Sequence, residues 1–594
     1  MGDEQGVQIP RPEYPRPVLV RDDWLNLNGA WRFRSDPEDE GMDSGWFRAQ
    51  LPDATRIIVP FPVESEASGV HVTEPSAVVW YQREFLVPEV WSGRVVLRIG
   101  ACDHWARVFV NGQEVGQHRG GYAPFSFDIQ HALLPGANML TIRVEDSLSW
   151  TQPRGKQAGT TRWPIDYDSV TGIWQTVWLE PLPVIAIENT AFSYFHASGE
   201  LTFTALFSGQ VDGTLTAEIS RKGELIATAS ADTGLRSEVR LKFVFSDGDL
   251  WSPESPQLYD MKLKLFNRRT SETDEARSYL ALREIEVRDG QLRLNGGKLY
   301  LRGVLDQGYF PGGWYTPMTD DEIRQDVELT LAMGFNCARK HQKAEDPRYL
   351  YWADKLGLMV WAEMPSGKIF STELIETLTR EWMDLVKRDR AHPSIIAWVP
   401  FNESWGVWHQ SQRPEQRAFV DGVVALTKAL DQSRPVIGND GWEFSSGDLW
   451  TLHLYQAGDD LAVRLADLIR EPGLSVTGDD SHPRVGALPG ANVAGLPILL
   501  TECGGVGFGR YGEADFSYGD LPASQAALEE RIRQTAELIH SEDMLQGFVW
   551  TQLTDIQQEI NGLLYFDRTP KLPLEILKGI FSPLDGESIV AGAD

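Results

Sequence analysis

Cysteine, positive charge and long apolar runs are scarce in this chain of 594 residues. Three cysteines support neither a disulfide framework nor a zinc site, and they are typical of a protein in the reducing cytoplasm. Lys and Arg number 55 against 85 Asp and Glu, which gives a net charge of −30. Phosphate backbones and anionic lipid repel so negative a protein, which excludes nucleic-acid binding. No run reaches the roughly 18 apolar residues of a membrane span.

Targeting and cofactor signals are missing too. Residues 1–6 lack the basic and apolar segments of a signal peptide, so we expect a cytoplasmic protein. The 11 histidines do not have the spacing of a metal-binding motif, and no Gly-Lys-Ser/Thr phosphate loop occurs. We therefore predict no metal and no cofactor.

Tryptophan is plentiful, with 21 residues. Indole side chains are typical of protein cores, and they also stack on the apolar faces of sugar rings. The apolar fraction of 42% is that of a globular protein, and the length predicts three to five domains.

Residues 1–182 read as short strands separated by turns, and they predict a β jelly roll. Strands are predicted at 78–85, 94–99 and 105–110, the last running into the hairpin signal Asn111-Gly112. Residues 183–286 keep the β character, with clean alternation at 201–207 and 239–245. Their length is that of an immunoglobulin-like β-sandwich.

Residues 287–594 alternate between apolar runs and helical segments, which predicts a C-terminal (β/α)8 barrel, a TIM barrel. Thr319 is the expected N-cap of the first helix, with Ile323 and Val327 on its buried face. The eight predicted strands are 299–305, 335–339, 356–361, 395–401, 435–438, 449–455, 497–501 and 545–551.

Two carboxylates follow predicted barrel strands. Glu403 follows the fourth strand, and Glu502 ends the seventh. The C-terminal ends of barrel strands meet at one mouth, where catalytic residues lie. Glycoside hydrolysis needs such a pair, because one carboxylate attacks or stabilises the anomeric carbon while the other protonates the leaving oxygen. The alternative is that each Glu belongs to a buried ring of ion pairs.

Several segments resemble glycoside hydrolase family 2. The motif Asn402-Glu403, preceded by residues 389–394, is similar to the family's acid/base signature, and Thr501-Glu502 with Gly504 resembles its nucleophile segment. Residues 80–85, 103–112 and 172–179 resemble its sugar-binding jelly roll, and residues 547–552 resemble its eighth strand. The likeness extends over nearly the whole chain in the family's order.

The resemblance implies roles for the matching residues. Glu403 would be the general acid and base, and Glu502 the nucleophile of a retaining mechanism. Asn402 would hydrogen-bond the sugar 2-hydroxyl, with a turn-stabilising amide as the alternative. Tyr455 would hydrogen-bond the nucleophile, with a core phenol as the alternative. Arg339 would keep that carboxylate ionised, with a structural ion pair as the alternative. Trp550 would form a wall under the sugar, with an ordinary barrel tryptophan as the alternative.

Departures from the family pattern bear on the substrate. Where the family often has Arg-His-Glu after the first strand, this chain has Leu305-Asp306-Gln307. Where β-glucuronidases have Asn-x-Lys after strand eight, it has Glu559-Ile560-Asn561, which argues against ordinary glucuronidase activity.

Lys340 either binds an acidic sugar or pairs with Glu345 or Asp346. The other residues predicted to shape or bind the substrate site are Asp306, His341, Trp405, Glu363 and Trp314.

These observations predict a retaining glycosidase of the β-galactosidase type that acts on a small oligosaccharide or glycoside, and the family resemblance implies that it is exo-acting. β-Galacturonidase, β-mannosidase and α-L-arabinofuranosidase remain alternatives. A non-catalytic carbohydrate-binding protein is a further alternative, although the presence of both carboxylates argues against it. A scaffold protein that uses the two β-domains for assembly is another. The family resemblance also allows a homo-oligomer.

Overall fold

A computed structural model describes residues 9–72, 74, 76–476, 484–509 and 516–582. The predictions for residues 1–6, and for the extreme ends of the first and third domains, lie outside these ranges. Within them, no helix is long and apolar enough to cross a membrane.

The first region is a set of antiparallel sheets. A six-stranded sheet has the order β3-β2-β4-β10-β7-β8, a four-stranded one β1-β12-β5-β9, and β6 pairs with β11. The strands are β1 Leu25–Asn26, β2 Gly29–Ser35, β3 Thr55–Val59, β4 Val78–Leu86, β5 Arg94–Ile99, β6 Cys102–Asp103, β7 Trp105–Val110, β8 Gln113–Arg119, β9 Phe125–Asp128, β10 Ala137–Glu145, β11 Gly172–Ile173 and β12 Val177–Leu182. The three short 3-10 helices are Trp46–Arg48, Glu66–Ser68 and Gln130–Ala132.

The predicted strands and hairpin of this region are present. Strands β7 and β8 are joined at Asn111-Gly112, and both residues have positive φ, 51° and 79°, as a tight two-residue hairpin requires. Inward-facing side chains of both large sheets, such as Trp31 and Leu97, form one core. Residues 146–171, which we call the docking loop, leave this core and lie against the third region.

The second region is a sandwich of two antiparallel sheets, β13-β14-β17 and β16-β15-β18-β19. Burial alternates along β14 and β17, as the period-two pattern predicts. The strands are β13 Ile187–Phe195, β14 Glu200–Val211, β15 Gly213–Arg221, β16 Glu224–Asp232, β17 Arg236–Val244, β18 Tyr259–Asn267 and β19 Thr273–Leu280. A small sheet then leads to the third region through β20 Ile285–Arg288, β21 Gln291–Leu294 and β22 Gly297–Lys298.

The third region is the barrel. Its parallel sheet has the order β26-β25-β24-β23-β29-β28-β27. The strands are β23 Leu301–Asp306, β24 Cys337–Lys340, β25 Met359–Glu363, β26 Ile395–Val399, β27 Trp450–His453, β28 Ile498–Gly504 and β29 Leu545–Thr551. The helices are α1 Asp320–Ala332, α2 Pro347–Leu356, α3 Thr372–Asp389, α4 Pro414–Leu430, α5 Asp459–Arg470, α6 Gln525–Ser541 and α7 Leu574–Phe581. Thr319 caps α1 as predicted, because its side chain accepts from the Glu322 backbone N–H.

The predicted fifth strand is reduced to isolated bridges. Val436 pairs with Trp398, and Asp440 with Asn402, both in parallel. On the other side, the Gly441 carbonyl accepts a 3.2 Å hydrogen bond from the His453 N–H. Residues 435–441 therefore connect the two end strands of the sheet, β26 and β27, and bring Asp440 to the mouth.

Candidate active site

Glu403 lies in a tight turn after β26. Its φ is 51° and that of Ser404 is 57°, so two consecutive non-glycine residues have left-handed backbone. The turn is held by hydrogen bonds from Glu403 N to the Asp440 carbonyl at 2.9 Å and from Trp405 N to the Asn402 carbonyl at 2.9 Å. Such conformations persist where the surroundings enforce them, and they cluster at functional sites.

Glu502 lies on β28, and its carboxylate faces that of Glu403. One oxygen of each carboxylate and one nitrogen of His453 all lie within 4.8 Å of one another. Retaining glycosidases place their two carboxyl groups about 5–5.5 Å apart, whereas inverting enzymes need about 6.5–9.5 Å to admit a water. The spacing here is therefore suited to direct attack by one carboxylate on the anomeric carbon.

The Glu502 carboxylate is surrounded by donors and cations. Arg339 donates to Oε1 at 3.1 Å, and the Tyr455 hydroxyl donates to Oε2 at 2.6 Å. Burial by itself would raise the pKa of Glu502, but the charges of His453 and Arg339 outweigh burial and lower it. Glu502 is therefore held ionised, as a nucleophile must be.

His453 lies between the two carboxylates. Its Nδ1 is 2.8 Å from Glu403 Oε1 and 3.5 Å from Glu502 Oε1, and its Nε2 is 3.3 Å from Asp440 Oδ2. Burial disfavours the charged ring, but the carboxylates of Glu502, Asp440 and Glu403 raise the pKa of His453 to about 10. Among the described residues, Glu403, His453 and Glu502 form a group whose ligand atoms could hold a metal ion, but metal binding would require His453 to lose its proton, which the carboxylates oppose.

Arg339 joins the residues that surround Glu502. It pairs with Glu363 at 2.8 Å and with Asp440 at 2.7 Å, and it donates to Asn402 Oδ1 at 2.6 Å. Since Oδ1 is engaged by Arg339, the amide orientation of Asn402 is set. Its buried Nδ2 has no partner among the described residues, so it remains available to a ligand hydroxyl.

The structure brings together Glu403, Glu502, Asn402, Tyr455 and Arg339, as predicted. His341 also lies there, with Nδ1 3.1 Å from Glu363 and 3.9 Å from Glu502.

Three predicted contacts lie elsewhere. Lys340 is adjacent to Arg339 on β24, so its side chain points to the opposite face, where it pairs with Asp306 at 2.6 Å and Glu345 at 2.7 Å. Neither Lys340 nor Asp306 lines the mouth, which favours the ion-pair alternative for Lys340. Trp550 also points outward and packs on Phe581 in the layer between strands and helices, so it forms no wall under a sugar.

The docking loop supplies residues that the sequence reading missed. Its Tyr167 hydroxyl donates to Glu559 and accepts from Gln307 at 2.6 Å. Lys156 of the same loop lies 5.8 Å from the ring of the predicted contact Trp405. No periodic pattern marks this loop, so the available signal was the clustering of Lys, Trp and Asp in a segment without strand character.

A barrel with two carboxylates at the mouth, preceded by two β-domains, is the arrangement of a glycosidase. Three family models match in order: the sugar binding domain of glycosyl hydrolases family 2 at residues 25–183, the family 2 model at 189–283 and its TIM barrel domain at 285–453. The chain therefore belongs to glycosyl hydrolase family 2 and is a glycosidase.

Similar proteins carry two activity names. A β-glucuronidase of Paenibacillus borealis is 26% identical over 474 residues, covering 71% of this chain and 74% of that protein. A β-galactosidase of Thermoanaerobacter pseudethanolicus is 27% identical over 436 residues, covering 70% of this chain and 54% of that protein. The solved Lactobacillus rhamnosus β-glucuronidase superposes with a TM-score of 0.78 at 22% identity, covering 96% of this chain and 98% of that one. This last likeness shows the fold.

Proposed function

We propose that the protein is an exo-acting, retaining glycosidase of the β-galactosidase type, which removes one terminal neutral sugar from a small oligosaccharide or glycoside. The observation that carries the proposal is the close approach of Glu403 and Glu502, whose carboxylate oxygens lie within 4.8 Å of each other at the barrel mouth.

In the proposed first step, Glu502 attacks the anomeric carbon while Glu403 gives a proton to the leaving oxygen. In the second, Glu403 takes a proton from water, which hydrolyses the glycosyl–enzyme bond. The exposure of the two side chains supports this division, because 17% of Glu403 is accessible, against 6% of Glu502. A group that meets both the leaving group and water needs such access.

A neutral sugar is supported by the pairing of two cations near the mouth, Arg339 and Lys571. Arg339 is occupied by Glu363, Asp440 and Glu502. Lys571, which follows β29, pairs with Asp555 at 2.6 Å. A uronate carboxylate would therefore find these cations already neutralised.

A β-glucuronidase activity is the second candidate, because relatives and solved structures similar to this chain carry that name. The β-galacturonidase, β-mannosidase and α-L-arabinofuranosidase alternatives are distinguished from these two activities by the choice of substrate, which the following experiment measures.

The test is turnover of nitrophenyl β-galactoside, β-glucuronide, β-galacturonide, β-mannoside and α-L-arabinofuranoside, with the Glu502→Ala protein as the blank. We expect the β-galactoside to be hydrolysed with the highest kcat/KM. A preference for a uronide would overturn the neutral-sugar proposal, and absence of turnover above the blank on the whole panel would overturn the proposed activity.

A further inference from the structure

Lys156 is held over the barrel by the residue before it. The Gly155 N–H donates to the Ser366 carbonyl at 2.9 Å, next to β25. Gly155 has a φ of 60°, and a Cβ there would lie 2.1 Å from the Gln342 carbonyl oxygen, beyond β24. The close approach requires glycine, and it fixes the path of the docking loop across the ends of these two strands.

The Lys156 side chain reaches two opposite sides of the mouth. Its Nζ is 5.8 Å from the ring of Trp405, in the turn after the fourth strand of the barrel. The same Nζ is 4.0 Å from Glu559 Oε2, in the segment after the eighth. Because strands four and eight lie across the barrel from each other, the ammonium group lies over the opening between them.

Lys156 and Glu559 both retain unused hydrogen-bonding capacity. Lys156 is only 5% exposed, yet it donates no hydrogen bond among the described residues. Glu559 accepts from Asn561 Nδ2 at 3.0 Å and from the Tyr167 hydroxyl, one bond to each oxygen. A carboxylate oxygen can accept two hydrogen bonds, so each still has room for one more.

Glu559 also lies close to the catalytic carboxylates. The ring of Tyr518 stacks at 3.8 Å on that of Tyr455, which donates to Glu502. Burial and then the charges of Glu559, Glu502 and Glu403 raise the pKa of Tyr518, since all three carboxylates lie near this phenol.

We propose that Lys156 and Glu559 form a clamp for two hydroxyls of a neutral sugar, at the end of the ring remote from the reacting carbon. Lys156 donates to one hydroxyl oxygen and Glu559 accepts from the other. The hydroxyl that donates to Glu559 is the one that a uronide replaces with a carboxylate; that carboxylate would be repelled by Glu559 and has no proton to donate, which selects against uronides. Glu559 and Asn561 stand in the segment where β-glucuronidases have Asn-x-Lys. The inference rests on the proposed function. It assigns the selection of the sugar class to Lys156 and Glu559, which come from different domains.

The test measures kcat/KM of the full-length protein on nitrophenyl β-galactoside and β-galacturonide. The variants are Glu559→Gln and Lys156→Met, with Lys242→Met as a control that removes an exposed lysine paired with Glu200 on the sandwich. We expect the galactoside-to-galacturonide ratio to fall by about tenfold or more in Glu559→Gln, because the amide no longer repels a carboxylate. Lys156→Met should lower galactoside turnover at least about tenfold, and Lys242→Met should change neither value.

Two outcomes would overturn the clamp. One is an equal loss on both substrates in Glu559→Gln, which indicates a structural role, and the other is a wild-type preference for the galacturonide. Equilibrium binding of galactose and galacturonate to the Glu502→Ala protein separates the clamp from the reaction. Tighter binding of galactose, reversed or abolished by Glu559→Gln, would support the clamp even if no glycoside of the panel were hydrolysed, and tighter binding of galacturonate would overturn it.

Discussion

The ends of the fourth and seventh barrel strands carry the same residue type in different surroundings. Glu502 accepts from Arg339 and Tyr455 and is almost fully buried, whereas Glu403 lies in a strained turn, is more accessible and contacts His453. The fold thus supplies two equivalent positions, and the neighbouring cations and hydroxyls make them different. Roles in a two-carboxylate mechanism follow from these neighbours more than from the carboxylates themselves.

The largest effect is expected at the seventh strand. Glu502→Ala removes the proposed nucleophile, so kcat should fall by roughly 10⁴–10⁶-fold, as for loss of other catalytic nucleophiles. Azide added to this variant should restore turnover by entering the vacated space, and it should give a glycosyl azide of inverted configuration. Product analysis by NMR checks the stereochemistry. A folded variant that azide does not rescue would contradict the role of Glu502.

The fourth strand should show a dependence on the leaving group. Glu403→Ala removes the proposed proton donor, so alkyl glycosides with poor leaving groups should lose about 10²–10⁴-fold in kcat/KM. Dinitrophenyl glycosides, which leave without protonation, should lose far less. The slopes of log kcat/KM against leaving-group pKa for wild type and variant provide the measurement. Parallel slopes would contradict the assignment of Glu403 as the acid.

Glu381 extends the comparison to a buried carboxyl that forms no ion pair with the described residues. Glu381 on α3 accepts from the backbone N–H groups of Tyr122 at 2.8 Å and Ala123 at 3.1 Å, which joins the jelly roll to the barrel. Burial raises the pKa of Glu381 to about 7 despite these hydrogen bonds.

Because the folded pKa of Glu381 is higher than the unfolded value, its protonated form favours folding. This contribution is full below about pH 4.5 and is lost as the pH rises through about 7, a change of roughly 3 kcal/mol. Relative to Glu381→Gln, which does not titrate, wild type should become less stable across this window. Melting temperatures of both proteins from pH 4.5 to 8 test the sign, and a constant difference would contradict it.

Much of the fold follows from periodicity in the sequence. Alternation located the strands of both β-domains, and apolar runs located the barrel strands. The predicted fifth strand gave isolated bridges, because Pro435 lacks an N–H and Gly438 lies against the Ser446 carbonyl, where only a residue without a Cβ fits. The docking loop has no period, and its position is set by contacts with residues distant in the sequence.

Site residues could be predicted from the sequence where they lie at the end of a barrel strand. Site residues that lie in connecting segments could not. Glu403, Glu502 and Arg339 could be placed by their strand positions. Because side chains alternate along a strand, the adjacent residues Arg339 and Lys340 cannot both face the mouth, so strand alternation was enough to place Lys340 on the other face. Asp440 lies at the mouth through the bridging segment, and no local pattern marks it.

The close fit at Gly155 bears on whether the jelly roll and the barrel can be exchanged independently. Its backbone fits one barrel surface closely, and the adjacent lysine meets a glutamate at the far end of the gene. A hybrid that exchanged either domain for that of a distant homologue would separate the two halves of the proposed clamp while leaving Glu403 and Glu502 in place. Such a hybrid should retain the proposed chemistry and lose the choice of sugar.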